Sequence, residues 1–307
     1  MQRALLAVEI GGTKLQLAAG RADGTILHRW RHTVEPAEGA EGIRRQIEKW
    51  LPEALAMMAP VAIGVGFGGP VDWRTGRIAK SHQIPGWSGF PIGDWLRDLT
   101  RLPVAVDNDA NVAALGEASL GNGRGAATLF YTTLGSGVGG GFVIDGRIYH
   151  GATPGESEIG HVRLDKGGTI VEQRCSGWAV DRRIREANQL HPAGILAQLA
   201  EGSETGQAKF LAQALQAEDP LASAILSEAA DHLAFALSHV VHLLHPERLI
   251  LGGGLALLGE PLRFAVSEAL KQYLMEVFQP GPPIFLSALK EDVVPVGALR
   301  LATANEA

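Results

Sequence analysis

Apolar positions along the chain fall into short unbroken runs bounded by glycine and longer runs at helical spacing. The opening block predicts a sheet unit. Ala4 to Ile10 is apolar, Gly11-Gly12-Thr13-Lys14 is a turn, and Leu15 to Ala19 resumes a strand. Asp23-Gly24 is a hairpin signal leading into a third strand, Thr25 to Trp30. From Glu41 to Met58, Ile43, Ile47, Trp50, Leu51 and Leu55 recur at helical spacing. Val61 to Phe67 reads as a buried strand ending in Gly68-Gly69-Pro70. Val104 to Val106 is a short strand running into Asp107-Asn108-Asp109-Ala110-Asn111 and a helix through Gly116 or beyond.

Near Gly121–Gly125 the pattern starts again. Ala127 to Thr133 predicts a strand, Gly135 to Gly139 a turn, and Gly141 to Ile144 a strand. Asp145-Gly146 marks a hairpin and Arg147 to Tyr149 follows. Strand, glycine turn, strand, Asp-Gly, strand is thus repeated, which suggests two related lobes. A long helical stretch, Ala222 to His245, precedes a buried strand from Arg248 to Leu251 and the turn Gly252-Gly253-Gly254.

Composition narrows the class. A chain of 307 residues suggests two domains or one large one. Its formal net charge of −6 does not suit a protein that grips nucleic acid by the phosphates, so no nucleic-acid partner is expected. Glycine is in excess, 39 of 307 against a usual ~7%, with no collagen period, pointing to turns and close backbone approaches. The single cysteine, Cys175, excludes an intramolecular disulfide and a cysteine-based zinc site, and suggests a reducing compartment. Ala54 to Val71 carries no charge and is long enough to span a membrane. Pro60, Gly64, Gly66, Gly68, Gly69 and Pro70 break it, so a helix end, a strand and a turn are expected instead. The apolar run before Glu9 is too short for a signal-peptide core, and no helix-turn-helix module is expected ahead of the first strand. A soluble, cytoplasmic protein without a membrane partner is the expectation.

Three features carry candidate chemistry. A glycine turn between strands presents backbone N–H groups in one direction and admits a phosphate where a Cβ would obstruct it, although such a turn also serves as a plain hairpin. Two turns at equivalent places in a duplicated fold could face each other across a cleft and hold one nucleotide, with Thr13 and Ser136 adding hydroxyls. Neither matches a P-loop or a dinucleotide fingerprint. Asp107-Asn108-Asp109-Ala110-Asn111 stands where a strand meets a helix. It can cap that helix, or aim a carboxylate that takes the proton of a substrate hydroxyl, or do both. Glu158-Ile159-Gly160-His161 and Glu172 are polar groups beside glycine-rich segments. With no second His or Cys nearby, Glu158 and His161 make a weak metal site.

Together these segments resemble the ROK family of sugar kinases and sugar-responsive repressors, over nearly the whole chain. Val8 to Lys14 resembles the first phosphate hairpin, Asp107 to Asn111 with Ala113-Ala114-Leu115-Gly116-Glu117 the catalytic segment, and Thr133 to Gly141 the second hairpin. Glu158 to His161 resembles the segment that binds sugar hydroxyls, and Leu251-Gly252-Gly253-Gly254 the adenosine-side turn. The resemblance implies an α/β fold, the duplicated ribonuclease-H-like (actin-like ATPase) fold with two lobes around a cleft. One lobe would be 1–118, completed by 294–307, and the other 119–293. It implies ATP-dependent phosphorylation of a hexose hydroxyl, glucokinase-like, with Asp109 as general base. Gly69, Gln83, Asn108, Asp109, Glu158, His161 and Glu172 would lie on the sugar. Gly11, Gly12, Thr13, Lys14, Gly135, Ser136, Gly137, Gly253 and Gly254 would hold ATP. Mg²⁺ would be met through water by Glu9, and a homodimer is expected.

The chain departs from the family pattern at three places. Glu9 stands where the family usually has Asp, which shifts the carboxylate by one methylene. The family's three-cysteine zinc motif beside the Gly-His is absent, with Ile170 in that stretch, so no zinc is expected. Gln83 replaces the Asn common before Pro-Gly-Trp. The first two departures leave a non-catalytic sugar-binding regulator or pseudokinase as the alternative.

Overall fold

The computed structural model describes residues 3–81, 84–153, 155 and 157–303. In chain order the strands are β1 (Leu5–Ile10), β2 (Lys14–Gly20), β3 (Ile26–Thr33), β4 (Ile63–Phe67), β5 (Val71–Asp72), β6 (Arg77–Ile78), β7 (Val104–Asn108), β8 (Thr128–Leu134), β9 (Val138–Ile144), β10 (Arg147–Ile148), β11 (Arg248–Gly252) and β12 (Ile284–Leu286). The helices are α1 (Gly39–Met58), α2 (Ile92–Thr100), α3 (Asp109–Leu120), α4 (Glu172–Cys175), α5 (Gly177–Leu190), α6 (Ile195–Leu199), α7 (Leu211–Gln216), α8 (Pro220–Leu244), α9 (Glu260–Lys271) and α10 (Val293–Ala302). The chain packs as two compact units. The first comprises the residues up to Tyr131, Gly141–Ser157 and those from Ala288 onward; the second comprises Thr132–Gly140 and Glu158–Ser287.

In the first unit β1, β2 and β3 form an antiparallel meander, while β4 and β7 run parallel to β1, in the order β3-β2-β1-β4-β7. Side chains alternate across a strand, so β1 feeds two cores. Leu6, Val8 and Ile10 join Ile43, Ile47, Trp50 and Leu51 of α1 and Ile92 and Leu96 of α2. Leu5 and Ala7 face the other way, onto Val112 and Leu115 of α3 and Ala298, Leu299 and Leu301 of α10. Burying both faces explains the unbroken apolar runs. Two glycines let the helices press close: a Cβ on Gly64 would overlap the Ala298 carbonyl, and one on Gly297 would overlap the Val112 carbonyl.

The second five-stranded sheet has the order β10-β9-β8-β11-β12. Position for position it repeats the first, with β8-β9-β10 in the places of β1-β2-β3 and β11 beside β8 as β4 is beside β1. The repeated strand–glycine–strand pattern of the sequence is therefore a duplication of topology, in a mixed α/β architecture. The Asp145-Gly146 hairpin has φ of 48° and 72°, the paired positive values that fit the twist of the flanking strands. Helix α8 begins at Pro220 behind Asp219, whose carboxylate accepts from Leu221 N–H (2.7 Å) and Ala222 N–H (3.2 Å).

Among the boundaries that differ from the sequence pattern are those of three strands. β3 starts at Ile26 and runs on to Thr33. β7 extends to Asn108, so the first two polar residues of the candidate segment are strand. β9 begins at Val138, which places Val138 and Gly139 inside a strand rather than in the turn. A Cβ at Gly141 would lie 2.6 Å from the Ala110 carbonyl oxygen and 2.8 Å from the Ala114 side chain; this glycine serves the approach of α3. Among the described residues no helix is long and apolar enough to cross a membrane.

Candidate active site

The first unit holds the first glycine turn and the acidic segment. Gly11 N–H donates to the Lys14 carbonyl (2.9 Å), closing the turn, and Gly68 N–H donates to the Ile10 carbonyl (2.8 Å), bringing the Gly68-Gly69 turn beside it. Thr13 is exposed, and Gly11, Gly12 and Lys14 are half-buried. Lys14 Nζ lies 3.0 Å from Glu9 Oε1, and Gln16 Nε2 donates to Glu9 Oε2. Arg31 Nε in turn donates to Gln16 Oε1 (3.2 Å).

At the end of β7 each polar residue has its own task. Asn108 is the cap of α3: its Oδ1 accepts from Ala110 N–H (2.8 Å) and Asn111 N–H (3.2 Å), and its Nδ2 donates to the Gly69 carbonyl (3.2 Å). Capping thus falls to the asparagine and not to an aspartate. Asp107, 2% exposed, accepts from Asn108 N–H (2.8 Å) and Asn111 Nδ2 (2.9 Å) at Oδ1, while His150 Nε2 lies 2.6 Å from Oδ2. Asp109 is half-buried at the first position of α3. Its Oδ2 lies 3.4 Å from the position a Cβ on Gly68 would take, and Gly11 Cα lies 3.5 Å from that same position. A carboxylate therefore stands beside both glycine turns of this unit, at the positive end of a helix.

In the second unit Gly135 N–H donates to the Gly137 carbonyl (3.0 Å) and Gly177 N–H to the Gly135 carbonyl (2.7 Å), so the second glycine turn rests on the start of α5. Glu172 Oε2 accepts from Val138 N–H (3.0 Å) at the first residue of β9. The short 3₁₀ turn Ile159–His161, with Glu158 before it, is pressed onto the same place: a Cβ on Gly160 would overlap the Val138 carbonyl. Glu158 and His161 are both exposed. Gly253, at φ 81°, lies so close to Leu134 that a Cβ would come within 2.6 Å of its backbone.

Beside this turn is a cavity of about 940 Å³, lined by Gly135, Ser136, Trp178, Gly254, Leu255 and Leu258 among others, with Arg182, Arg185 and Lys209 on its walls. Asp181, 5% exposed, braces one side: Oδ2 accepts from Gly206 N–H (2.8 Å) and Arg185 Nη1 (2.9 Å), and Oδ1 from Ala208 N–H (2.8 Å).

Each unit thus gathers its own predicted residues: Gly69, Asn108 and Asp109 in the first, and Glu172, Gly135, Ser136, Gly137, Gly253 and Gly254 in the second. Lys14 is drawn to Glu9, which the sequence pattern did not indicate. Gln83 lies outside the described residues. His150, Asp181, Trp178 and the cavity's cationic wall were not singled out from sequence. The Asp181–Arg185 pair, four residues apart on a helix, was a readable signal. Among the described residues no group of three or more His, Cys, Asp or Glu side chains is arranged to hold a metal. Each Glu9 oxygen meets one donor, Lys14 or Gln16, and a carboxylate oxygen can accept a second, so the side chain keeps room for a water held by a cation.

The sequence pattern of the ROK family matches residues 5–305. A glucokinase of Halalkalibacterium halodurans is 32% identical over 304 residues, covering 94% of this chain and 92% of its own. A glucokinase of Thermotoga maritima is 31% identical over 302 residues, covering 96% and 95%. The crystal structure of a ROK family glucokinase from Streptomyces griseus, in complex with glucose and AMPPNP, superposes with a TM-score of 0.88 at 29% identity, covering 98% of this chain and 99% of that one.

Proposed function

The chain belongs to the ROK family, and from that premise we propose that it transfers the γ-phosphoryl group of ATP to a hexose hydroxyl, with glucose the first sugar to try. The observation that carries this is the division of labour at the β7–α3 junction. Asn108 satisfies the helix N-terminus, Asp107 is consumed by His150 and Asn111, and Asp109 stands beside the two glycine turns.

Asp109 accepts the hydroxyl proton as the sugar oxygen forms its bond to phosphorus and the bond to the departing ADP oxygen breaks. Such positioned proton transfer contributes ~10²–10⁴-fold. Gly69, Gln83, Asn108, Glu158, His161 and Glu172 bind sugar hydroxyls. The glycine turns at Gly11-Gly12-Thr13 and Gly135-Ser136-Gly137 offer N–H groups to the phosphates, where preorganised dipoles stabilise developing charge. The cavity next to Ser136 and Gly254 receives the nucleoside; its ~940 Å³ falls within the range of small-ligand sites. Mg²⁺ on the phosphates would neutralise their charge, and Glu9 would meet it through water. Glucokinase relatives at about a third identity and an AMPPNP-bound neighbour support this assignment.

Incubation with ATP, Mg²⁺ and a panel of hexoses and N-acetylhexosamines is expected to release ADP only when an accepted sugar is present. A sugar-dependent binding heat with no ADP from any sugar would favour the second assignment, a sugar-binding regulator. The engagement of both Glu9 oxygens by Lys14 and Gln16 is the observation on that side.

A further inference from the structure

We infer that His150 is a positioning residue for Asp109, acting through Asp107. This rests on the assignment of Asp109 as the base. A carboxylate at 2% exposure needs a hydrogen-bond donor on each oxygen. Two of the three donors on Asp107, the Asn108 N–H and Asn111 Nδ2, come from its own strand–helix junction; His150 comes from a segment 43 residues further on. Because the carboxylate only accepts, His150 Nε2 carries the proton that joins them.

The consequence runs through the backbone. Asp107 fixes the Asn108 N–H from one side, while the Asn108 side chain fixes the Ala110 and Asn111 N–H groups from the other. Asp109 is the residue between them, so the direction of its carboxylate is set by how firmly Asp107 is held. His150 is itself held: the Trp73 ring lies flat against it, with centroids 4.2 Å apart at an interplanar angle of 15°. Asn111 Nδ2 also donates to the Gly155 carbonyl (3.2 Å), tying the same segment to α3 at a second point. Among the described residues no other imidazole is placed on Asp107, and the proposed chemistry gives this buried pair no step of its own.

His150→Phe keeps a ring on Trp73 and removes only the hydrogen bond. Misplacing a reacting group by about an ångström costs up to ~10²-fold, so kcat is expected to fall by ~10- to 100-fold. The KM for ATP should stay within ~3-fold, because the groups proposed to hold ATP lie outside this hydrogen-bonded chain. His150→Gln brings an amide Nε2 to the place of the lost donor and should restore most of kcat; His150→Asn, one methylene shorter, should not. A role confined to stability would instead lower the melting temperature of all three variants and leave kcat per folded enzyme unchanged. A kcat for His150→Phe within ~2-fold of wild type, or a His150→Gln variant no better than His150→Asn, overturns the inference. The Gln and Asn pair decides it if the Phe variant does not fold. A wild type that phosphorylates no sugar overturns the kinase assignment, and this inference with it.

Discussion

Asp181 offers a way to loosen one wall of the proposed nucleotide cavity while leaving the sugar residues untouched. In Asp181→Asn, Oδ1 can keep the Ala208 N–H at 2.8 Å, but the new Nδ2 faces two donors, Gly206 N–H and Arg185. A hydrogen bond from a backbone N–H to a charged acceptor contributes ~1.5–3 kcal/mol. The Arg185 side chain is 38% exposed, so its ion pair is discounted to ~0.5–1 kcal/mol. Together the loss is about 2–4 kcal/mol, a ceiling of roughly 30- to 900-fold in any equilibrium that depends on this wall. The segment keeps other ties, including Gln207 Nε2 to the Ser203 carbonyl and Asn188 Nδ2 to Gln207 Oε1, so part of the loss is absorbed. A fall of ~10- to 100-fold in AMPPNP affinity is therefore expected by calorimetry, with glucose affinity changed by less than ~3-fold as the internal control. Unchanged AMPPNP affinity would refute the placement of the nucleotide. Equal weakening of both ligands would refute the claim that the effect is local.

Two further outcomes follow from packing. Gly297→Ala puts a methyl group into the Val112 carbonyl of α3, and overpacking of this kind costs ~1–3 kcal/mol; thermal unfolding should show a lower midpoint, and an unchanged midpoint would contradict the close approach of α10. Burial pushes the Cys175 thiol up to about 12 from 9.0, and its Sγ donates to the Ala229 carbonyl. The folded protein therefore favours the neutral thiol, and this group's contribution to stability is lost as pH rises above the ordinary thiol value. A thiol reagent at pH 8 should label Cys175 only on unfolding, and rapid labelling of the native protein would contradict its burial.

Much of this was legible in the chain. Unbroken apolar runs named the buried strands because both faces of the first sheet are covered, and the repeated glycine turns named the duplication. Asp109 could be singled out only through resemblance. The local pattern left capping and catalysis open, and the division became visible once Asn108 was seen to accept from Ala110 and Asn111. The role of Glu172 at Val138, 34 residues away, and of His150 at Asp107, 43 residues away, follow from tertiary contacts that no spacing rule encodes. Val138 and Gly139, read from the sequence as the end of the turn, belong to β9. Glycine signals a turn and a close approach alike, and at Gly141 the approach of α3 is what requires it.

The central claim is that Asp109 takes the proton from the sugar hydroxyl. The most direct measurement is ADP release by Asp109→Asn beside wild type at saturating sugar and ATP, with sugar binding by each followed calorimetrically. Turnover lower by ~10²-fold or more with sugar affinity largely kept is the predicted result. Equal turnover by the two proteins would contradict it.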